Sequence, residues 1–115
     1  MALLQLCVLK KYINKLKSIT AAELQQRIKA DEQLMLIDVR EDFEHDHFNI
    51  GGMLIPMGTI LENIQSIPTD KPVVMYCEKG IRSVVVIQKL EEKFGYANLV
   101  NLTGGMRAWK NEIVQ

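Results

Sequence analysis

The fold is decided by the stretch Val73–Phe94, which reads VVMYCEKGIRSVVVIQKLEEKF. Its first five residues form an apolar run without polar alternation, which is typical of a strand buried on both faces. A short polar turn follows at residues 78–81, and from Ser83 the apolar positions recur at helical spacing. The sequence therefore predicts a buried strand, a tight loop and a helix in direct succession.

The rest of the chain repeats this alternation of apolar runs and helix-like stretches. Apolar runs predict further strands at residues 34–39, 53–56 and 99–102. Thr20-Ala21-Ala22-Glu23 has the spacing of a capping box that starts a helix over residues 21–30, and helices are also predicted in part of residues 60–67 and over residues 105–112. Buried strands that alternate with helices indicate an α/β domain with a mostly parallel sheet, whose ligands bind at the carboxyl ends of the strands.

Composition places the chain among ordinary globular proteins. Its 115 residues suit one compact domain, and 48% hydrophobic with 24% charged residues excludes a disordered tail or a fibre. The 14 basic residues balance the 14 acidic ones, so no nucleic-acid partner is expected. Two cysteines, Cys7 and Cys77, are too few for a disulfide framework and favour free thiols in a reducing compartment, the cytoplasm.

Residues 1–17 are predicted to form an amphipathic helical extension in front of a domain that spans residues 18–115. Apolar residues recur from Leu3 to Leu16 at roughly helical spacing. A helix that packs on the domain is the favoured interpretation, with a partner-docking or membrane-surface helix as the alternative. The apolar segment is too short to span a membrane, and Cys7 within it is expected to be inert.

The candidate chemistry concentrates in the loop between the predicted strand and helix. Cys77 ends the strand, Gly80 gives the loop the backbone freedom of a tight turn, and Arg82 opens the helix. The backbone N–H groups of such a loop point inward at a helix N-terminus, which attracts anions and favours a thiolate. A lone cysteine at a strand end is more often buried packing, but its combination with loop, arginine and helix start favours a nucleophile.

Three segments, in order along the chain, resemble the motifs of rhodanese-like domains. Leu36–Glu41 (LIDVRE) resembles their early Asp-x-Arg segment, and Cys77–Ser83 (CEKGIRS) resembles their Cys-x-x-Gly-x-Arg-Ser active-site loop. Leu102–Trp109 (LTGGMRAW) resembles their closing Leu-x-Gly-Gly-x-x-Ala-Trp signature. The resemblance identifies the chain as a single-domain member of the family, and it implies a five-stranded, mostly parallel sheet flanked by helices.

The resemblance also implies an activity, which is sulfur transfer. In the family the loop cysteine attacks the sulfane sulfur of a donor such as thiosulfate, releases sulfite and becomes a persulfide, from which cyanide or a thiol takes the sulfur. By position Cys77 is the nucleophile, and no cofactor is implied. Asp38 and Arg40 are expected to form an ion pair that supports the site, and Arg82 has a mixed anion-binding and structural role. The resemblance assigns donor binding to the loop residues Glu78, Lys79, Gly80, Ile81, Arg82 and Ser83.

Glu78 departs from the family pattern, since many thiosulfate-active members carry arginine directly after the cysteine. A carboxylate there repels a dianion, and Lys79 offsets this repulsion only in part. Thiosulfate is therefore expected to be a poor donor, with a protein persulfide or an organic persulfide as the alternative, and Glu78→Arg should lower the Michaelis constant for thiosulfate. The competing function is a sulfur-carrier or regulatory module with little small-molecule turnover.

Two further classes of site are disfavoured. The dual-specificity phosphatases of the cell-division type, a related branch of the fold, wrap a phosphate with a Cys-x5-Arg loop, and the loop from Cys77 to Arg82 is one residue shorter. Phosphatase activity is therefore not expected. Neither histidine has a second ligand at metal spacing, so no metal site is expected. His47 matches the family's structural histidine, and His45 is expected to lie on the surface.

Overall fold

The computed structural model describes residues 16–114. Within them, one sheet contains the strands β1 (Ser18–Ile19), β2 (Met35–Asp38), β3 (Met53–Leu54), β4 (Val73–Tyr76) and β5 (Leu99–Leu102). The connections contain the helices α1 (Ala21–Lys29), α2 (Asp42–His47), α3 (Arg82–Phe94) and α4 (Gly105–Glu112), together with the 3₁₀ segment Met57–Ser66. Cys7 and, apart from Leu16, the helix predicted near the start of the chain lie outside the described residues.

The strands lie in the order β1-β5-β4-β2-β3, and every neighbouring pair is parallel. The predicted α/β class and five-stranded sheet are confirmed, and the described sheet is wholly parallel. Asp38 of β2 lies opposite Tyr76 of β4, and Met75 lies opposite Asn101 of β5. The carboxyl ends of these three strands therefore meet at one edge, where Cys77 begins the loop after β4.

The sheet separates two apolar cores. Val73 and Met75 of β4 belong to the core that contains α3 and the 3₁₀ segment, whereas Val74 and Tyr76 belong to the core that contains α1 and α4. All four residues of β4 are buried, which explains why its sequence shows no polar alternation. This packing on both faces holds the end of β4 firmly, and with it the position of Cys77.

Helix α1 begins at the predicted capping box. The Oγ1 atom of Thr20 accepts from the N–H of Glu23 at 3.1 Å, and the Oε1 atom of Glu23 accepts from the N–H of Thr20 at 3.1 Å. Helix α3 ends at Gly95, which has a left-handed φ of 70° that suits a helix C-terminus. Both helix ends are therefore set by local sequence.

Four elements differ from the sequence-based prediction. Strand β1 and helix α2 are absent from it, because a strand of two residues and a helix of six are too short to show an apolar period. Residues 57–66 form a 3₁₀ segment with a kink at Asn63 rather than an α-helix. The strand predicted at residues 53–56 pairs only through Met53 and Leu54.

The beginning of the described chain contacts the sheet. Leu16 packs against the core, the carbonyl of Lys17 accepts from the N–H of Asn101 at 2.9 Å, and Lys17 Nζ donates to the carbonyl of Ala97 at 2.6 Å. The predicted domain boundary at residue 18 stays a prediction. Among the described helices, none combines the length and apolar character needed to span a membrane.

Candidate active site

The thiol of Cys77 lies at the bottom of the loop between β4 and α3. Cys77 is 1% exposed. The N–H of Gly80 points at its Sγ atom at 3.1 Å, and the N–H of Ser83 points at the same atom at 3.4 Å. Gly80 has φ +85°, and a Cβ atom there would lie 3.0 Å from the backbone nitrogen of Gly104, so the turn requires glycine. The loop thus presents two backbone donors to one sulfur atom.

The outward side of the loop is held by helix α4. The N–H of Met106 donates to the carbonyl of Cys77 at 2.9 Å, and the N–H of Arg107 donates to the carbonyl of Glu78 at 2.9 Å. A Cβ atom on Gly105 would lie 2.3 Å from the carbonyl oxygen of Cys77, so a side chain cannot be accommodated there. The pair Gly104-Gly105 therefore allows α4 to pack closely against the loop. Because the loop carbonyls of Cys77 and Glu78 face α4, the loop amides are free to face the sulfur.

Ser83 and Asn101 complete the surroundings of the sulfur. The Oγ atom of Ser83 lies 3.4 Å from Sγ of Cys77 and donates to Oδ1 of Asn101 at 2.5 Å. The amide nitrogen of Asn101 donates to the carbonyl of Gly80 at 3.5 Å, which fixes the orientation of this amide. Asn101 is a residue that the sequence did not reveal. It comes into the site because β5 pairs with β4, and no motif marks it.

Arg82 is committed to a partner on helix α2. Its Nη1 and Nη2 atoms donate to the two carboxylate oxygens of Glu44, each at 2.8 Å. These hydrogen bonds hold the pKa of Glu44 at about 2, well below its usual 4.5, and they raise the pKa of Arg82 above its ordinary value. Arg82 therefore ties α2 to the start of α3. Glu44 was also missed from the sequence, since α2 was not predicted.

Asp38 and Arg40 form a buried ion pair next to the loop. Arg40 Nε donates to Oδ1 of Asp38 at 2.9 Å, and Nη2 donates to Oδ2 at 2.9 Å. The remaining terminal nitrogen, Nη1, donates to Oε1 of Glu78 at 3.3 Å. The other carboxylate oxygen of Glu78 lies 3.9 Å from Nζ of Lys110. Glu78 is therefore flanked by two cations. The repulsion between Glu78 and a dianion, as expected from the sequence, did not take these cations into account.

The expected positions of the two histidines are wrong. His45 is half-buried, and its Nδ1 atom lies 2.9 Å from Oδ2 of Asp38, whereas His47 is exposed. The reason is helix α2, in which two residues differ by about 200° in direction, so that position 45 faces the end of β2 when position 47 faces solvent. Within residues 16–114, no cluster of three His, Cys, Asp or Glu side chains could hold a metal ion.

A cavity of about 330 Å³ gives access to Cys77. It is lined by Glu44, Cys77, Glu78, Lys79, Ile81 and Arg82. The structure therefore places most of the predicted loop residues around one opening, with Gly80 and Ser83 beneath it as contacts of the sulfur. A larger cavity of about 640 Å³ lies at the amino ends of the strands, where Lys17, Lys71 and Asn98 are found. Cys77 is remote from it, so we assign the candidate site to the smaller cavity.

Comparisons with known proteins point to one family. The family described as rhodanese-like domain matches residues 20–112. The chain is 43% identical over 98 residues to the putative sulfurtransferase YtwF of Bacillus subtilis, covering 84% of this chain and 93% of that protein. It is 30% identical over 95 residues to the thiosulfate sulfurtransferase GlpE of Coxiella burnetii, covering 82% and 87%. A rhodanese-like domain protein from Staphylococcus aureus superposes with a TM-score of 0.77 at 35% identity, covering 87% of this chain and 97% of that chain.

Proposed function

The chain belongs to the rhodanese-like domain family, and we propose that it acts as a sulfurtransferase that carries a sulfane sulfur as a persulfide on Cys77. The relatives named as sulfurtransferases support the class of reaction. The single observation that carries the residue assignment is the convergence of the Gly80 and Ser83 N–H groups on the Cys77 sulfur. Preorganised backbone donors of this kind stabilise a sulfur anion without any rearrangement.

The first half of the reaction loads the cysteine. The Cys77 thiolate attacks the sulfane sulfur of the donor, an S–S bond forms at Sγ, and the S–S bond of the donor breaks. The leaving group, sulfite in the case of thiosulfate, keeps the electron pair of the broken bond. The terminal sulfur of the new persulfide carries a negative charge, and the Gly80 and Ser83 N–H groups that point at Sγ support its stabilisation by the loop.

The second half of the reaction returns the cysteine to its starting state. Cyanide or a thiolate attacks the terminal sulfur, the persulfide bond breaks, and Cys77 leaves as a thiolate, so that charge and sulfur both balance. A reducing compartment such as the cytoplasm suits this cycle, because it keeps Cys77 available as a thiol between turnovers. No cofactor is needed for either half, and the proposed partners are a sulfur donor and a thiol or cyanide acceptor.

A sulfur-carrier or regulatory module is the second candidate function. It is favoured by the pairing of both site arginines, since Arg82 is bound to Glu44 and Arg40 to Asp38 and Glu78. A site with its arginines occupied attracts a small anionic donor weakly. Under this alternative Cys77 receives its sulfur from a protein persulfide and passes it on, with little turnover of thiosulfate.

The decisive experiment measures thiocyanate formation from thiosulfate and cyanide, followed by mass analysis of the protein. We expect turnover by the native chain and an added mass of about 32 Da, the mass of one sulfur atom, on Cys77. Cys77→Ser should show neither turnover nor the added mass, because the hydroxyl of serine cannot replace the thiolate as the nucleophile. Turnover that survives in Cys77→Ser would contradict the assignment of the nucleophile.

The same mass measurement separates the two candidate functions. A chain that forms no thiocyanate from thiosulfate, but takes one sulfur on Cys77 from a protein persulfide, is a carrier. A chain that no sulfane-sulfur donor modifies at Cys77 would contradict both candidates.

A further inference from the structure

The four charged side chains that line the cavity leading to Cys77 have a net charge of zero. Its lining contains two carboxylates, Glu44 and Glu78, and two cations, Lys79 and Arg82. Glu44 and Arg82 pair with each other. Glu78 is paired behind the cavity by Arg40 and Lys110, at 3.3 Å and 3.9 Å. Within residues 16–114, Lys79 is the lining cation that forms no ion pair.

This balance decides how strongly an anion is attracted. A cavity with a large positive potential concentrates a dianion more than a monoanion, because the attraction scales with the charge of the ligand. Here a dianion meets one unpaired cation, Lys79, and the carboxylates of two ion pairs. A donor that carries a single negative charge loses less hydration free energy when it leaves water, and those carboxylates repel it less.

One side of the cavity mouth is apolar. Ile81, which lines the cavity, is 67% exposed, and Val85, one helical turn further along α3, is 42% exposed. The N–H of Val85 donates to the carbonyl of Ile81 at 3.3 Å, so the two residues are adjacent. We call Ile81 and Val85 the apolar rim. Single exposed apolar residues need no explanation, but two adjacent ones at the entrance to a nucleophile form a surface that an apolar group can cover.

From this combination we infer that the site prefers an organic sulfane-sulfur donor with one negative charge and an apolar body over the dianion thiosulfate. The inference rests on the proposed function and names its substrate class. The apolar body covers the rim, the single charge faces Lys79, and the sulfane sulfur reaches Sγ of Cys77. A thiosulfate ion can make the second and third of these interactions, but it has no apolar body that could cover the rim.

Organic thiosulfonates are suitable probes, because they carry one negative charge fewer than thiosulfate and can carry an apolar body. In a thiosulfonate, R–SO₂–S⁻, the Cys77 thiolate attacks the terminal sulfur, the S–S bond to the sulfonyl group breaks, and a sulfinate leaves with the electron pair. The products are a Cys77 persulfide anion and R–SO₂⁻, so two negative charges enter and two leave. Methanethiosulfonate removes one charge relative to thiosulfate, and benzenethiosulfonate adds an apolar ring.

The experiment compares kcat/KM of the native chain for the three donors with cyanide as acceptor. Each value is divided by the uncatalysed rate of the same donor with cyanide, which removes differences in leaving-group chemistry. We expect methanethiosulfonate to exceed thiosulfate by about fivefold and benzenethiosulfonate to exceed methanethiosulfonate by about tenfold.

Variants assign the two preferences to different residues. Ile81→Ser and Val85→Ser should each reduce the preference for benzenethiosulfonate over methanethiosulfonate by about threefold, because less apolar surface is covered. Phe94→Ser is the matched control, since Phe94 is 52% exposed at the far end of α3 and its replacement should leave this preference unchanged.

Glu78→Gln tests the charge, because it removes the carboxylate between Arg40 and Lys110. It should raise kcat/KM for thiosulfate by about fivefold and leave the ratio of kcat/KM between benzenethiosulfonate and methanethiosulfonate unchanged. It tests the charge better than Glu78→Arg, which would place a third cation against those two.

The outcomes separate this inference from the proposed function. Equal normalised rates for the three donors, with a Cys77 persulfide formed from each, would overturn the substrate preference and leave the sulfurtransferase assignment standing. A benzene preference that falls as much in Phe94→Ser as in Ile81→Ser would also overturn it, since the rim would not be its source. Absence of a Cys77 persulfide with all three donors would count against the proposed function itself.

Discussion

At the scale of single residues, the hydroxyl proton of Ser83 links Asn101 to the sulfur of Cys77. The Oδ1 atom of Asn101 can only accept, and its amide nitrogen is directed at the carbonyl of Gly80, so Ser83 donates to Asn101 and turns its lone pairs towards Sγ. When the sulfur becomes an anion, the hydroxyl of Ser83 makes a stronger hydrogen bond by donating to the sulfur than by donating to Asn101. That move leaves Oδ1 buried and unpaired, at a cost of about 1–3 kcal/mol.

Replacing Asn101 should therefore release Ser83 to the sulfur. Asn101→Leu keeps the size of the side chain and removes the acceptor, so we expect a more reactive sulfur at Cys77. The expected result is a rate of alkylation by iodoacetamide about threefold to tenfold higher.

The control for this prediction is the same substitution in a Ser83→Ala background. There the hydroxyl is absent, so Asn101→Leu should leave the alkylation rate unchanged. An equal increase with and without Ser83 would mean that Asn101 acts on Cys77 by another route.

The residues of the site could be predicted in so far as they are neighbours in sequence. Cys77, Gly80 and Ser83 stand within one short motif, and their contacts follow from the geometry of a strand, a loop and a helix. Asn101 and Glu44 could not be predicted, because they reach the site through strand pairing and through a short helix. The expected anion-binding role of Arg82 is likewise limited by Glu44, a partner that lies 38 positions away.

At the scale of elements, the start of helix α4 determines which way the loop after β4 faces. Its first amides bind the carbonyls of Cys77 and Glu78, and its first residue must be glycine, because the Cβ atom of any other residue would meet the Cys77 carbonyl at 2.3 Å. The Gly105 φ of +59° adds a second reason, since residues with a side chain rarely adopt it. Two helices thus act on one loop, α3 from the side of the sulfur and α4 from the side of the carbonyls.

Gly105→Ala should separate α4 from the loop. We expect a loss of about 2–3 kcal/mol in the free energy of unfolding and a clear fall in sulfur-transfer turnover, since the loop amides lose their alignment. Gly58→Ala is the matched control, because a Cβ atom at Gly58 would have no atom within 4 Å. Denaturant unfolding and thiocyanate formation measure the two effects. A Gly105→Ala chain as stable and active as Gly58→Ala would refute this account of α4.

The elements were predictable where burial leaves a long signal. The apolar runs of β2, β4 and β5, which only Asp38 and Asn101 interrupt, indicate strands covered on both faces, and the apolar period of α3 extends over 13 residues. In contrast, β1 has two residues and makes its pairs only with β5, so nothing local marks it. The segment Met57–Ser66 has a helical apolar pattern but adopts the tighter 3₁₀ winding, a choice that the pattern cannot distinguish.

At the scale of the whole molecule, the Glu44–Arg82 ion pair connects the two sides of the active-site edge. It joins α2, which follows β2, to α3, which follows β4. The pKa of Glu44 is lowered from 4.5 to about 2. A carboxyl with a lowered pKa contributes stability that is fully present above its unfolded value and is lost as the pH falls through its folded value. This contribution should therefore disappear between about pH 5 and pH 2.

Glu44→Gln should lower Tm by about 2–5 °C near neutral pH, a modest change because both side chains are partly exposed. The difference in Tm between native chain and variant should shrink as the pH is lowered and vanish near pH 2. Thermal unfolding followed by circular dichroism over this pH range measures it. A difference in Tm that is the same at every pH would show that ionisation of Glu44 is not the source of the effect.

The near-complete burial of Cys77 has a consequence for how long a bound sulfur survives. If Cys77 carries the proposed persulfide, the outer sulfur is reached through a cavity of about 330 Å³ above a residue that is 1% exposed. We expect the lifetime of that sulfur to depend on the size of the thiol or oxidant that enters the cavity as well as on its concentration. Slender acceptors should then discharge the persulfide faster than bulky acceptors of equal reactivity.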